Sequence, residues 1–301
     1  MDEGQARRRI GAIEQLIHEE VGRNISSVAE AARGGLFGAA EALARAPAPR
    51  LGVITGFYVP RGTPPAAETD GPVGAALLMH GLMRVGVACR QATDAPCAPA
   101  CATALRAAGL GETPVDIVPL GATLAPAIAA WREAGITHAL SIERCGCAAD
   151  GKPHNLTGLD ISEYTAPLDE LFLAGPWETL AIGDGGNEIG MGSISPALIA
   201  RSVANGEKIA CATPARHLIV AGVSNWGAYA LLAALAVLRP DWRDALLGSL
   251  DEELDQAILE ATVRDGPAVD GVSRQQTLTV DTLPAAVHHA KLRAIRAQVL
   301  R

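Results

Sequence analysis

Aromatic residues are scarce in this sequence, whose 301 residues include four Trp, three Tyr and three Phe. A large core must therefore be built from Ala, Leu, Val and Ile, which dominate a hydrophobic fraction of 49%. A surplus of positive charge is also missing, since the formal net charge is −8. Because nucleic acids and anionic membranes select Lys and Arg, this balance argues against both as partners and favours a small-molecule ligand.

Residues 1–20 lack the apolar core typical of a signal peptide, and the sequence has no long apolar run. Residues 1–20 (MDEGQARRRIGAIEQLIHEE) carry Ile at helical spacing among many charges, so we expect a helix and a cytoplasmic protein. The longest apolar helix pattern, residues 227–238 (GAYALLAALAVL), is much shorter than the roughly 20 residues that span a bilayer. This pattern predicts a buried core helix.

The six cysteines do not form a convincing zinc motif. Cys97 and Cys101 make one close pair and Cys145 and Cys147 another, but the C-x-C spacing of the second is not typical of structural zinc sites. Small buried thiols in a reducing compartment are the better interpretation. We therefore expect free cysteines.

Short apolar runs alternate with helical patterns along most of the chain. This alternation is typical of βαβ units around a parallel sheet that is buried on both faces. It predicts an α/β fold with a doubly wound, mostly parallel sheet and helices on both faces. We expect residues 1–46 to form a helical segment packed on a single α/β domain, residues 47–301. The apolar runs are LGVITGF, VACRQ, VDIVPL, ITHALSIER, TLAIGD and RHLIVAGV.

A phosphate-binding glycine loop is absent from the sequence. Residues 183–192 (GDGGNEIGMG) begin like the dinucleotide motif G-x-G-x-x-G, but Glu188 stands in place of the third glycine. The motif G-x-x-x-x-G-K-[ST] does not occur either. Because Asp184 and Glu188 would repel phosphates, we expect no bound NAD or ATP in this turn.

Six groups of polar residues lie at the ends of the apolar runs or in the loop that follows the first run. Since the carboxyl ends of parallel strands meet at one edge of a sheet, these residues are expected to share a ligand site. Carboxylates at such an edge select a metal ion, a substrate ammonium group or a proton. The alternative for Asp184 and Glu188 is capping of a helix that the pattern predicts over residues 189–204. The polar residues are Thr55, Glu68, Asp70, Thr93, Asp94, Glu143, Arg144, Asp184, Asn187, Glu188, Ser224 and Asn225.

Four segments together carry a resemblance to a known family. They are ETDGPVGA (68–75), GDGGNEIGMG (183–192), VSNWGAYAL (223–231) and DGVSRQQTLTVDTLPAAVHHAKL (270–292). The sequence resembles the C-terminal domain of the D-glutamate cyclase family over most of residues 10–298. In two-domain members a hydro-lyase-like domain precedes this one, and the present 301 residues do not include it. Thr282 also stands where a glycine is expected in the last segment.

The resemblance implies a lyase that converts D-glutamate to 5-oxo-D-proline with loss of water. We expect the partner to be an acidic amino acid, no organic cofactor to be needed, and a homo-oligomer to be compatible with the sequence. A non-catalytic metabolite sensor and a metal-dependent hydrolase of a small molecule are the alternatives. Asp184, Asn187 and Glu188 are the expected catalytic residues, and Asp184 and Glu188 the candidate ligands of Mg²⁺ or Mn²⁺. The expected substrate-binding residues are Thr55, Glu68, Asp70, Gly71, Glu143, Arg144, Gly185, Gly186, Ser224, Asn225 and Asp270.

Overall fold

A computed structural model describes residues 2–300, and within them the chain forms ten β-strands and thirteen α-helices. The strands are β1 Arg50–Thr55, β2 Tyr58–Val59, β3 Ala66–Ala67, β4 Ala88–Asp94, β5 Val115–Val118, β6 His138–Ile142, β7 Glu178–Gly183, β8 His217–Val220, β9 Thr279–Val280 and β10 Leu283–Pro284. The helices are α1 Glu3–Ile17, α2 Ser26–Ala31, α3 Gly35–Arg45, α4 Pro72–Arg84, α5 Ala98–Ala107, α6 Ala125–Glu133, α7 Leu168–Leu173, α8 Pro196–Ser202, α9 Gly206–Ile209, α10 Ser224–Leu238, α11 Arg243–Ser249, α12 Glu252–Arg264 and α13 Ala285–Leu300.

Six of the strands form one parallel sheet in the order β5-β4-β1-β6-β7-β8. The chain starts in the middle with β1, builds outward through β4 to β5, and then returns to the other side of β1 with β6. This order is that of doubly wound sheets, and it reverses between β1 and β6. The predicted α/β class and parallel sheet are confirmed.

Alternate residues of the strands pack on opposite faces of the sheet. Leu51 and Val53 of β1 point into a core shared with α1, α3, α4 and α10, whereas Ile54 belongs to a second core shared with α2, α6, α7 and α8. This division follows from the period of two residues in a β-strand. Helices therefore cover both faces, as the sequence predicts.

Helix α10 is the centre of the first core, and nearly all of its side chains are buried. It contacts α1, α3, α4, α11 and α13, so the prediction of a core helix at residues 227–238 is confirmed. Among residues 2–300, no helix combines the length and the apolar character that crossing a membrane requires. The six cysteines are free thiols.

The N-terminal helices α1 and α3 pack against α10 and share its core. The division of the chain near residue 46 stays a prediction, because this packing is also what one continuous domain would show.

The prediction of a helix over residues 189–204 is wrong at its beginning. Residues 188–191 instead form isolated bridges with Cys145 and Pro214, and α8 begins only at Pro196. Proline is favoured in the first helical turn because its missing N–H has no partner to lose there. The turn at 183–192 is therefore not a helix start, and its acids do not cap one.

Candidate active site

The candidate site lies where the strand order reverses, at the carboxyl ends of β1 and β6. Gly71 fills the space between the residues at these ends. Its φ is +93°, and a Cβ on it would stand 2.8 Å from both the Thr55 Oγ1 and the Glu143 Cβ. Only glycine fits this position without a shift, so Gly71 allows Thr55 and Glu143 to approach each other.

Asp70 and Asn225 hold the first turns of α4 and α10 together. The Asp70 carboxylate accepts the backbone N–H groups of Ser224 and Asn225, both at 2.8 Å. In return, the Asn225 Oδ1 accepts the backbone N–H groups of Gly71 at 3.0 Å and Gly74 at 2.7 Å. Each side chain caps the helix of the other, and the positive ends of both helices lie at the site.

Three buried carboxylates converge beside these helix ends. Oxygens of Asp70, Glu143 and Asp184 lie within 4.8 Å of one another. Burial and the neighbouring Asp281 raise the pKa of Asp70 to about 7. Burial, together with the charge of Glu188, raises the pKa of Glu143 well above its usual value. The cluster therefore favours the arrival of a proton or of a positively charged ligand.

Glu143 is held in a left-handed backbone conformation with φ +43°. The Ser224 hydroxyl donates a hydrogen bond to its Oε2 at 2.6 Å and fixes the carboxylate. A left-handed conformation costs a non-glycine residue about 1–3 kcal/mol and is common where a site needs a side chain in one place. The fold directs Glu143 into the acidic cluster at that cost.

Glu188 organises the turn at residues 183–192. Its Oε1 accepts the backbone N–H groups of Asp184 at 3.2 Å and Gly185 at 2.6 Å, and its Oε2 accepts that of Gly186 at 2.7 Å. The amides of Gly185 and Gly186, which we expected to face a ligand, thus donate to Glu188. These three bonds occupy both of its oxygens, whereas the carboxylate of Asp184 remains directed at the cluster.

A cavity of about 80 Å³ opens beside the cluster, and Glu68, Glu143 and Asn187 are among the residues that line it. Several buried oxygens here accept no hydrogen bond from residues 2–300: Thr55 Oγ1, Asn187 Oδ1, Asp281 Oδ2 and both side-chain oxygens of Asp184. Buried polar atoms in native proteins nearly always have partners. The unpartnered acceptors therefore indicate a place for a ligand that donates hydrogen bonds or carries positive charge.

Arg144 lies outside this cavity, although the sequence places it directly after Glu143. Its guanidinium donates to Asp94 at 2.6 Å and to the carbonyl oxygens of Gly56 at 2.8 Å and Ala166 at 2.6 Å. It is fully buried with these partners. The geometry favours a structural ion pair for Arg144 and Asp94 over contact with a substrate.

Asp270 shapes the tail segment next to the cavity. Its carboxylate accepts the backbone N–H groups of Val272, Ser273 and Thr282 and the hydroxyl of Thr279. Since four donors surround it, Asp270 is occupied with the loop that covers the site. Glu68, by contrast, faces the cavity, and burial raises its pKa well above its usual value.

Arg23 and Asp281 are site residues that the sequence analysis did not identify. The Arg23 guanidinium, between α1 and α2, forms ion pairs with Asp184 and, at 2.5 Å, with Asp281. Arg23 contacts the Oδ1 of Asp184, but no regular hydrogen bond from residues 2–300 reaches either Asp184 oxygen. Arg23 thus brings a positive charge to a site dominated by acids.

A local signal for Arg23 exists in the sequence. Gly22 and Asn24 have φ of +102° and +58°, and Gly and Asn are the residue types that tolerate this region best. The Glu20 carboxylate accepts the backbone N–H groups of Gly22, Arg23 and Asn24 at 2.6–2.8 Å. The segment E-x-G-R-N between two helix patterns therefore predicts a tight turn that projects an arginine.

Comparison with known proteins agrees with the motifs. The sequence profile described as "D-glutamate cyclase-like, C-terminal" matches residues 13–296. The human protein "D-glutamate cyclase, mitochondrial" is 44% identical over 105 residues, which make up 34% of this chain and 17% of that protein. The match thus spans a small part of the human protein but the family profile covers nearly the whole chain. This chain belongs to the D-glutamate cyclase-like, C-terminal family.

Proposed function

We propose that this protein is a lyase that closes D-glutamate into 5-oxo-D-proline and releases water. The observation that carries the proposal is the convergence of Asp70, Glu143 and Asp184 around unpartnered buried oxygens. Membership of the family and identity with a stretch of human D-glutamate cyclase support the choice of substrate. The small cavity suits one amino acid better than a nucleotide.

Ring closure needs an unprotonated amine and a γ-carboxylate that tolerates attack. Of the three ammonium hydrogens, one stays on the lactam nitrogen and two leave with a γ-carboxylate oxygen as water. The reaction therefore needs a group that first accepts a proton and then returns one to the leaving oxygen. Because attack is intramolecular, holding one substrate conformation supplies a further part of the acceleration.

Glu143 is the group we assign to this proton transfer. Its raised pKa makes the carboxylate a better base than an exposed glutamate, and the charge of an arriving ammonium favours its ionised form. The bond from Ser224 orients the side chain. Asp70 and Asp184 complete the ammonium site, and the helix end capped by Asp70 keeps its carboxylate in place.

The same three carboxylates are where Mg²⁺ or Mn²⁺ would bind, because hard divalent cations prefer oxygen ligands. Glu143 fits this role better than Glu188, since the turn amides occupy both Glu188 oxygens, whereas hydrogen bonds from residues 2–300 reach one Glu143 oxygen. A divalent cation there would lower the negative charge that opposes attack on the γ-carboxylate. Asp184 is also proposed as a ligand of this cation.

Chiral chromatography with mass detection tests the proposal directly. The protein is incubated with D-glutamate, L-glutamate or D-glutamine, each with EDTA, Mg²⁺ or Mn²⁺, and 5-oxoproline is quantified by enantiomer. We expect 5-oxo-D-proline from D-glutamate alone, and loss of product in EDTA assigns the cluster to a metal ion. Binding of D-glutamate without any product in all three conditions contradicts the lyase and favours a sensor.

A further inference from the structure

The Arg23 guanidinium contacts one carboxylate of the acidic cluster, that of Asp184. It lies between Asp184 and Asp281 and lines the cavity, and its side chain is 13% exposed. It therefore neutralises part of the negative charge of the cluster. A ligand ammonium that reaches Asp184 must compete with Arg23 for the same oxygens.

Arg23 has donors left for a second partner. A guanidinium carries five N–H donors in a planar fork, a geometry that matches a carboxylate. Within residues 2–300, its recorded contacts use the two terminal nitrogens, one for each carboxylate. The Nε–H donates to no acceptor within residues 2–300, and Arg23 lines the cavity.

The turn at residues 20–24 fixes the backbone of Arg23. Glu20 holds the main chain through three amides, so the base of the side chain is anchored. The guanidinium itself forms an ion pair with Asp184 and one hydrogen bond with Asp281.

We propose that Arg23 is the specificity residue that binds the γ-carboxylate of the substrate, moving from Asp184 to that carboxylate when the substrate ammonium takes its place. This inference rests on the proposed function, since the γ-carboxylate is the group that must be neutralised for attack. The attacked carbon must come within about 3–3.5 Å of the nitrogen. The γ-carboxylate is thereby brought next to Asp184, where Arg23 already lies.

The test compares ligands that differ only at the γ position. Isothermal titration gives the dissociation constants of D-glutamate and of D-glutamine, whose γ-amide is neutral. Wild type is compared with Arg23→Gln, Arg23→Lys and the control Arg33→Gln, which removes an exposed arginine paired with Glu30. Circular dichroism establishes that each variant is folded.

Wild type is expected to bind D-glutamate at least about tenfold more tightly than D-glutamine. The reason is that Arg23 makes a hydrogen bond between two charged groups with the γ-carboxylate but not with the neutral γ-amide. Arg23→Gln should abolish this preference by weakening D-glutamate binding alone. Arg23→Lys should keep part of it, and Arg33→Gln all of it. If Arg23→Gln does not fold, the partial loss in Arg23→Lys decides.

An Arg23→Gln variant that retains the wild-type preference overturns the inference, and so does a wild type that shows no preference or binds neither ligand. Turnover distinguishes this failure from failure of the proposed function. Product formation with an unchanged preference in Arg23→Gln rejects the role of Arg23 but keeps the lyase. An Arg23-dependent preference without product rejects the lyase and keeps the binding role.

Discussion

Asp184 and Glu188 lie four positions apart in one turn, yet their carboxylate oxygens differ in the hydrogen bonds that they accept. Both Glu188 oxygens accept backbone N–H groups, whereas those of Asp184 accept no regular hydrogen bond from residues 2–300. A carboxylate with three backbone donors stabilises the turn. A carboxylate without them is available to a ligand, so the two acids should respond differently to substitution.

We expect Asp184→Asn to reduce D-glutamate affinity by about tenfold or more, because it removes a charge that faces the ammonium. Glu188→Gln should instead lower the free energy of unfolding by about 1–3 kcal/mol, since an amide oxygen cannot replace both carboxylate oxygens. Urea unfolding and calorimetric titration on the same samples measure both quantities. Asp241→Asn, which removes an exposed acid, is the control. Equal stability loss in the two variants would show that Asp184 is structural too.

Glu143→Gln is expected to lower kcat for D-glutamate by about 10²–10⁴-fold, the usual contribution of a general base. Glutamine keeps the size of the side chain and an oxygen for Ser224, so substrate binding should change less than kcat. Steady-state kinetics separates the two effects. Glu178→Gln, at the opposite end of the sheet, should leave kcat unchanged. A Glu143→Gln enzyme within tenfold of wild type would exclude Glu143 as the base.

At the scale of elements, the site depends on the close approach of α4 and α10. Gly74 makes this approach possible, because a Cβ there would lie 2.6 Å from the Asn225 Oδ1 and 2.8 Å from its Cα. The mutual caps of Asp70 and Asn225 require the same approach. The packing of α4 against α10 therefore also determines where the acidic side chains of the site lie.

Gly74→Ala should therefore destabilise the protein by about 1–3 kcal/mol through overpacking, despite the better helix propensity of alanine. Gly11→Ala is the matched control, since Gly11 lies inside α1 with nothing within 4 Å of its missing Cβ. That substitution should stabilise by up to about 1 kcal/mol. Thermal and urea unfolding report both changes, and a stabilising Gly74→Ala would disprove the tight contact.

The sequence predicted the alternating strands and helices well and the long-range contacts between side chains poorly. All six strands of the main sheet follow from their apolar runs, and the shared edge follows from parallel pairing. The predicted helix start near residue 189 is wrong because Gly190 and Met191 form bridges with Pro214, which hold this segment in a non-helical conformation. The sequence analysis did not identify Arg23 as a site residue because its partners Asp184 and Asp281 come from distant parts of the chain. The turn around Arg23 is a local signal, but it does not reveal these partners.

At the scale of the whole molecule, the buried acids make folding sensitive to pH. The pKa of Asp70 is raised from 3.8 to about 7 by burial and by Asp281. Burial raises the pKa of Glu68 and Glu143 as well. At a pH between the pKa of such an acid in the unfolded chain and its pKa in the folded protein, the folded protein holds more protons than the unfolded chain. These groups therefore make the fold less stable as pH rises.

We expect the unfolding free energy of wild type, relative to Asp70→Asn, to fall by about 2–4 kcal/mol between pH 4 and pH 7. The variant lacks the titrating group, so the difference isolates Asp70 from other acids. Urea unfolding at half-unit pH intervals measures it. A difference that stays constant, or rises with pH, would mean that the Asp70 carboxylate is ionised throughout this range in the fold.

The contact between Arg23 and Asp281 joins positions that are 258 residues apart. Ribosomes make the α1–α2 turn early and the β9–β10 hairpin near the end of this sequence. Contacts of such high contact order form late in folding, after the local elements exist. An incomplete nascent chain therefore lacks the tail half of the site, and the pocket is complete only when both halves are present.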